Sequence, residues 1–205
     1  MCRNKLSLLT IAALVAVTGS ASAATIKKYA KFGASFNNAH VKDKNQDVLV
    51  DNVLGLNIGY GLSFGNGLRL DVEYTENFPA KKAEKDSTEI EKMEFSTKTL
   101  MLNGYHEYVT GTKLNPYTTF GIGESRAKIF AKEIDYYANT VNVFKKVHSG
   151  FAYQAGLGIA YSISDKISID TGYRYVKYGN LKNKKADINL KSHSNVFLVS
   201  GRYSF

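Results

Sequence analysis

Cysteine is almost missing from this chain. The only one, Cys2, lies at the extreme N-terminus, so the body of the protein has no disulfide framework and no thiol chemistry. Proline occurs twice and tryptophan not at all. Nothing beyond the first residues approaches the roughly 18 consecutive apolar residues that a spanning helix needs. The histidines, His40, His106, His148 and His193, are scattered and have no cysteines beside them, which gives no metal-ligand spacing. Gly121 with Gly123 and Gly156 with Gly158 precede no helix, so they are not phosphate loops. No cofactor and no metal are expected.

What is present points to strands. The chain carries 14 Tyr, 11 Phe and 17 Gly, a composition that favours β-structure in one domain. Its N-terminus is a secretory signal by pattern: Arg3 and Lys5, a mainly apolar run from Leu6 to Val17, then Ala21-Ser22-Ala23 as the cleavage site. Residues 1–23 are therefore read as signal peptide and 24–205 as the exported domain, with cleavage after Ala23 or Ala24. Cys2 does not follow the pattern of a lipoprotein site. The formal charge of +9 falls by two when Arg3 and Lys5 leave. Export makes nucleic acid the wrong partner for that excess, and anionic lipid or host polyanions the better one.

Residues 53–75 show the organising pattern. Leu54, Leu56, Ile58, Tyr60, Leu62 and Phe64 take every second place, and Leu68, Leu70, Val72 and Tyr74 resume the row after a Gly65-Asn66-Gly67 turn. Period two is a strand with one apolar face. The other face of the second strand is Arg69, Asp71, Glu73 and Thr75. A soluble sandwich would turn the apolar face inward, whereas a membrane barrel turns it to lipid and the polar face to the lumen.

The rest of the chain decides. Six more segments alternate in the same way, near 28–37, 95–109, 116–128, 151–163, 167–179 and 196–205. They are joined alternately by short turns and by long polar connections at 39–51, 79–92, 129–147 and 179–191. The third long connection is partly apolar and suits a strand continued beyond the membrane. Eight strands of this length cross a bilayer at a tilt. Tyr60, Phe64, Tyr108, Tyr161, Tyr175, Tyr178 and Phe205 lie near strand ends, where an interfacial girdle would sit. Lys31, Arg69, Asp71, Glu73, Glu107, Asp170, Arg174 and Arg202 share the opposite face. Eight ions in a dry core would each cost several kcal/mol unless paired, but in a lumen they can neutralise one another. The expected fold is an all-β, eight-stranded antiparallel up-and-down transmembrane β-barrel. Its interior is plugged, with Arg69, Arg174 and Arg202 bridging Asp71, Glu73, Glu107 and Asp170, and Gly55, Gly59, Gly61, Gly121, Gly156, Gly158 and Gly172 leaving them room.

The segments LMLNGYHEY, PYTTFGIG, FAYQAGLGIAYSISDKISIDTGYRY and the terminal GRYSF resemble the outer-membrane β-barrel domain of opacity-type surface proteins and small rickettsial-type surface antigens and adhesins. That group is related in form to the OmpA transmembrane domain. The likeness is clearest from Leu100 to Phe205 and weak in the long connections. It implies an adhesin or surface antigen in the cell outer membrane of a Gram-negative bacterium. It also implies that Phe197, Val199, Tyr203 and Phe205 resemble the signal read by the barrel assembly machinery. The chain stops at Phe205, so a following peptidoglycan-binding domain is not expected.

Lysines in the long connections, Lys81 and Lys82 with Lys182, Lys184 and Lys185, are candidate contacts to acidic glycans, host-cell proteins or lipopolysaccharide phosphates. As ordinary solvated charge they need no partner. No catalytic residues are expected. A lipid-modifying enzyme would need a nucleophile and base at the outer rim, and only His148 with Ser194 across an intervening strand could supply one. The expected role is a monomeric surface protein in outer-membrane lipid, an adhesin or a structural brace. A narrow, porin-like channel is the alternative.

Overall fold

Alternation carried well past the apolar stretches sets the architecture. The computed structural model describes residues 26–43, 46–85, 89–135, 140–179, 181–183 and 188–205. The expected signal at 1–23, with Ala21 and Ala23, lies outside the described residues. The strands are β1 Lys27–Asp43, β2 Gln46–Ser63, β3 Leu68–Lys85, β4 Glu89–Glu107, β5 Leu114–Asp135, β6 Thr140–Ser162, β7 Ile167–Lys177, β8 Leu181–Asn183 and β9 Ile188–Ser204. Each is antiparallel to its neighbour through β7, β7 pairs with β9, and β9 returns to β1 from Tyr29↔Ser204 to Asp43↔Leu190. The result is a closed cylinder of eight strands, whose wall presents no edge to lipid. The short β8 pairs with β9 and resumes the track of β7.

Side-chain direction follows the period. Phe32, Leu56, Leu70, Leu157 and Phe197 point outward and are exposed, while Arg69, Glu73, Asn103 and Gln154 point inward and are buried. An outer wall this apolar is a liability in water and a requirement in lipid. At one end the hairpins turn tightly. Phe64 N donates to Leu68 O at 2.8 Å and Gly67 N to Phe64 O at 3.1 Å, with Gly67 at a φ of 84°, a conformation that suits glycine.

At the other end the structure corrects the expected loops. Of the four long connections, 39–51, 79–92 and 129–147 are largely strand, and 179–191 contains β8 and the start of β9. Beyond the bilayer the outward side chains face water and become polar, which erases the apolar half of the alternation, yet the backbone keeps pairing. The strands that continue do not all stay together. Pairing of β2 with β3 stops at Gly55↔Asn77 and that of β6 with β7 at Tyr153↔Lys177. Meanwhile β1–β2 continues to Asp43↔Gln46, β3–β4 to Lys85↔Ile90 and β5–β6 to Asp135↔Thr140. Above the cylinder the wall therefore parts into two sheets, β2-β1-β9-β8 and β3-β4-β5-β6. At one parting Gly150 and Gly179 lie backbone to backbone. A Cβ on Gly150 would stand 2.9 Å from the Gly179 Cα.

Inside, character changes with height. The cylinder holds ions and amides, whereas the parted end buries Ala39, Val41, Val53, Phe95, Ala127 and Ala152. Tyr178 belongs to this interior and not to the expected girdle: it is buried against Val176 and Val196. Its parity is that of Arg174 and Val176, which puts it on the inward row, while Tyr175 faces out.

Candidate functional site

The lumen is built by residues meeting across a missing side chain. Lys31 on β1, Gly59 on β2 and Glu73 on β3 share one rung, and Tyr29, Gly61 and Asp71 share the next but one. With no side chain on β2, its two neighbours reach each other: Lys31 Nζ lies 2.7 Å from Glu73 Oε2, and the Tyr29 hydroxyl donates to Asp71 Oδ2 at 3.1 Å. A Cβ on Gly61 would come within 2.7 Å of the Tyr29 ring. The device recurs where Gly121 stands between Asn103 and Gln154, and Gln154 Nε2 donates to Asn103 Oδ1 at 2.6 Å.

All eight ions named from the sequence face this interior. Arg69 is 1 % exposed and binds Glu107 and Asp170, each at 2.9 Å. Arg174 binds Glu73 at 2.7 Å, and Arg202 binds Glu107 at 3.1 Å and Asp170 at 3.6 Å. Asp71 departs from the expected pattern because its ion partner is Lys31, at 2.6 Å, and not an arginine. Asn103 Nδ2 completes its shell at 2.9 Å. Lys31, Arg69, Arg174 and Arg202 balance Asp71, Glu73, Glu107 and Asp170, so the group is neutral as a whole.

Three tyrosines missed by the sequence reading hold it together. The Tyr105 hydroxyl accepts from Lys31 Nζ at 2.9 Å and from Arg174 at 3.0 Å, and the Arg69 guanidinium lies 4.5 Å from its ring centroid. Tyr117 meets Tyr105 edge-on at 5.7 Å, and Tyr29 lies 5.5 Å from the Arg202 guanidinium. Such cation–ring contacts strengthen when shielded from water. The available signal was parity: each tyrosine sits on the inward row, two places from Lys31, Glu107 or Thr119. Among the described residues, two small cavities lie beside and above the ions. The cavity lined by Asn57, Gln154 and Tyr178 is about 20 Å³ and that lined by Asn77, Phe95 and Ser194 about 10 Å³, each the size of a single water.

The other named residues fall elsewhere. Phe197, Val199, Tyr203 and Phe205 form an outward, exposed row on the last strand. His106 packs edge-on to Tyr108 at 4.7 Å near the short turns. Lys81, Lys82 and Lys182 lie in β3 and β8 with side chains outside the described set, and Lys184 and Lys185 lie outside the described residues. The structure does not bring His148 to Ser194. Ser194 stands on the rung of Val176 and Gln154, and His148 is six residues further along β6, about 20 Å at the rise of a strand. The arrangement can brace a cylinder and exclude water from its axis.

Comparison with known proteins agrees with the geometry. The family model described as outer membrane protein beta-barrel domain matches residues 9–193. The outer membrane protein PagN of Salmonella typhimurium is 30% identical over 117 residues, covering 52% of this chain and 49% of that protein. An adhesin candidate of Rickettsia conorii is 27% identical over 141 residues, covering 64% and 56%. The chain thus spans about half the length of the curated relatives it matches. Among solved structures, Neisserial surface protein A superimposes with a TM-score of 0.60 at 18% identity, covering 87% of this chain and 97% of that one. Ail, the attachment invasion locus protein of Yersinia pestis, in complex with the heparin analogue sucrose octasulfate, gives 0.51 at 17%, covering 88% and 99%. At these identities the structures share the fold.

Proposed function

Because the chain belongs to the outer membrane protein β-barrel domain family, we propose that it is an adhesin, meeting acidic host or environmental partners through the strand ends opposite its short turns. It is an outer-membrane β-barrel, and those ends are taken as extracellular. The observation that carries the reading is the filled lumen. With Arg69, Arg174 and Arg202 tied to Glu73, Glu107 and Asp170 across the axis, the interior has little to offer a solute, and the extended sheets are the surface left to work. The adhesin candidate and the sulfated ligand named with Ail favour the same direction.

Lys81, Lys82, Lys182, Lys184 and Lys185 are the proposed contacts to acidic glycans. Such binding comes mostly from screened Coulomb attraction. Export by a signal at residues 1–23, recognition of Phe197, Val199, Tyr203 and Phe205 by the assembly machinery, and a monomeric state complete the proposal. Bacteria displaying the intact barrel should attach to host cells more than bacteria displaying one with shortened extensions. Attachment should weaken with added salt and in the triple variant Lys182→Ala, Lys184→Ala, Lys185→Ala. Equal attachment by the shortened barrel, shown to be folded and exposed, defeats the adhesin reading and leaves a structural brace.

A further inference from the structure

Where the wall parts, strand edges are left without a ladder beside them. Pairing of β6 with β7 stops at Tyr153↔Lys177, while β6 continues along β5 up to Asp135↔Thr140. Among the described residues, no strand pairs with the other edge of β6 over residues 140–152. The gap is held open. Gly150 has the inward parity of Ala152, and a Cβ on it would stand 2.9 Å from the Gly179 Cα, so the chain leaving β7 crosses on the inner side of β6. Ser125 on β5 fastens it there, its hydroxyl accepting from Gly179 N at 3.2 Å and donating to Gly150 O at 3.3 Å. With that neighbour turned inside, residues 140–149 keep a row of backbone N–H and C=O groups pointing away from β5, about 30 Å long at the rise of a strand.

The other edges are poorer templates. On β3, Phe78 and Pro79 stand against Ser96 alone as a bulge, and a proline there offers no donor. The unpaired part of β2 carries Asp47 and Asp51, and β8 has three residues. Residues 140–149 contain three valines, no proline and no acid. Their outward face is basic and apolar: Lys145 stands beside Arg126 and Lys128 of β5, with Val143 and Val147 exposed between them. Glu94, on the rung of Lys145, lies two strands from the edge.

A second copy of this chain is the wrong occupant. Two upright barrels related by a two-fold axis along the membrane normal would set β6 parallel to β6 and Lys145 near Lys145, and like charges opposite one another destabilise a sheet. An acidic strand reverses that sign. We propose that the free edge of β6, residues 140–149, takes up an extended acidic segment of a partner polypeptide as an added β-strand. Backbone hydrogen bonds hold the segment, and Lys145, Arg126 and Lys128 select its charge. The inference rests on the extensions being the working surface, and it names how one partner docks there.

The test uses the full barrel in nanodiscs and the fluorescence anisotropy of short synthetic peptides. The probe alternates glutamate with valine and threonine. One control replaces each glutamate by lysine, and two others keep the side chains but carry N-methyl groups on one or the other set of alternate amides, which removes the donors of one edge at unchanged charge. The probe should bind about tenfold or more tighter than the lysine peptide and than at least one N-methylated peptide. Lys145→Glu should weaken it about tenfold, and Lys166→Glu, at the short-turn end, should leave it unchanged. Heat-modifiable electrophoretic mobility checks that each barrel is folded, and Lys145→Gln, expected to lose part of the binding, replaces Lys145→Glu if that fails to fold. No binding of the probe, equal binding of both N-methylated peptides, or full binding by the folded Lys145→Glu barrel each overturns the proposal. So does a Lys145→Cys barrel that crosslinks to a second copy, which reassigns the edge to self-association. The two readings fail separately: probe binding without attachment of bacteria to host cells removes the adhesin and supports the edge, and attachment without probe binding removes the edge alone.

Discussion

Gly61 shows how much an inward glycine can hold in a barrel this narrow. It occupies the rung between Tyr29 and Asp71, and any side chain there would displace the ring and the carboxylate together. Gly61→Val should cost about 1–3 kcal/mol by overpacking, read as a lowered urea midpoint for the folded barrel. Arg69 lies between two carboxylates, Glu107 and Asp170, both at 2.9 Å. Arg69→Met leaves Asp170 short of a buried partner and should cost about 3–5 kcal/mol. Adding Asp170→Asn should recover part of it, and a double-mutant cycle in urea measures the coupling. If the two losses simply add, the two groups are energetically independent and the network is ornament.

The strands were legible only where lipid wrote on them. Leu56, Leu70 and Leu157 alternate with polar neighbours, so the spanning part of each strand, the turns at its base and the inward ions could be read directly. Past Asn38 or Glu76 the outward residues meet water, alternation loses contrast, and β1 and β3 looked like loop although their ladders continue. Tyr178 lies near a strand end, which suits a girdle, but its parity places it inside. Tyr29, Tyr105 and Tyr117 were on the correct face but carried no charge to announce a role. The parted sheets could not be read at all, because where β2 leaves β3 is decided by pairing between distant strands. Their buried patch makes its own prediction. Phe95→Ala, which empties a 4 % exposed position, should cost about 3–5 kcal/mol if the parted end unfolds together with the wall. If it unfolds separately, the loss should appear as faster hydrogen exchange above Asn77 while the midpoint of the cylinder stays in place.

The molecule is a soluble protein turned inside out below and an ordinary one above. Its cylinder hides ions and shows hydrocarbon, and its parted end hides Val41, Val53 and Phe95. Leu157→Arg, at a 63 % exposed site on the wall, should therefore cost about 2–4 kcal/mol in a bilayer, measured by reversible unfolding in liposomes. Purified barrel in planar bilayers should give no porin-sized steps, and such steps would contradict the filled lumen. The seam between β1 and β9 adds a matter of timing. One edge of β1, from Tyr29 to Asp43, finds its partners only in the final strand, so the ring cannot shut while those residues are still being delivered. A chain interrupted after residue 187 would carry two bare ribbons of amides, which periplasmic proteases and strand-hungry neighbours would reach first. Shutting the ring thus waits on the last strand, and only then are the open edges of β1 and β7 both covered.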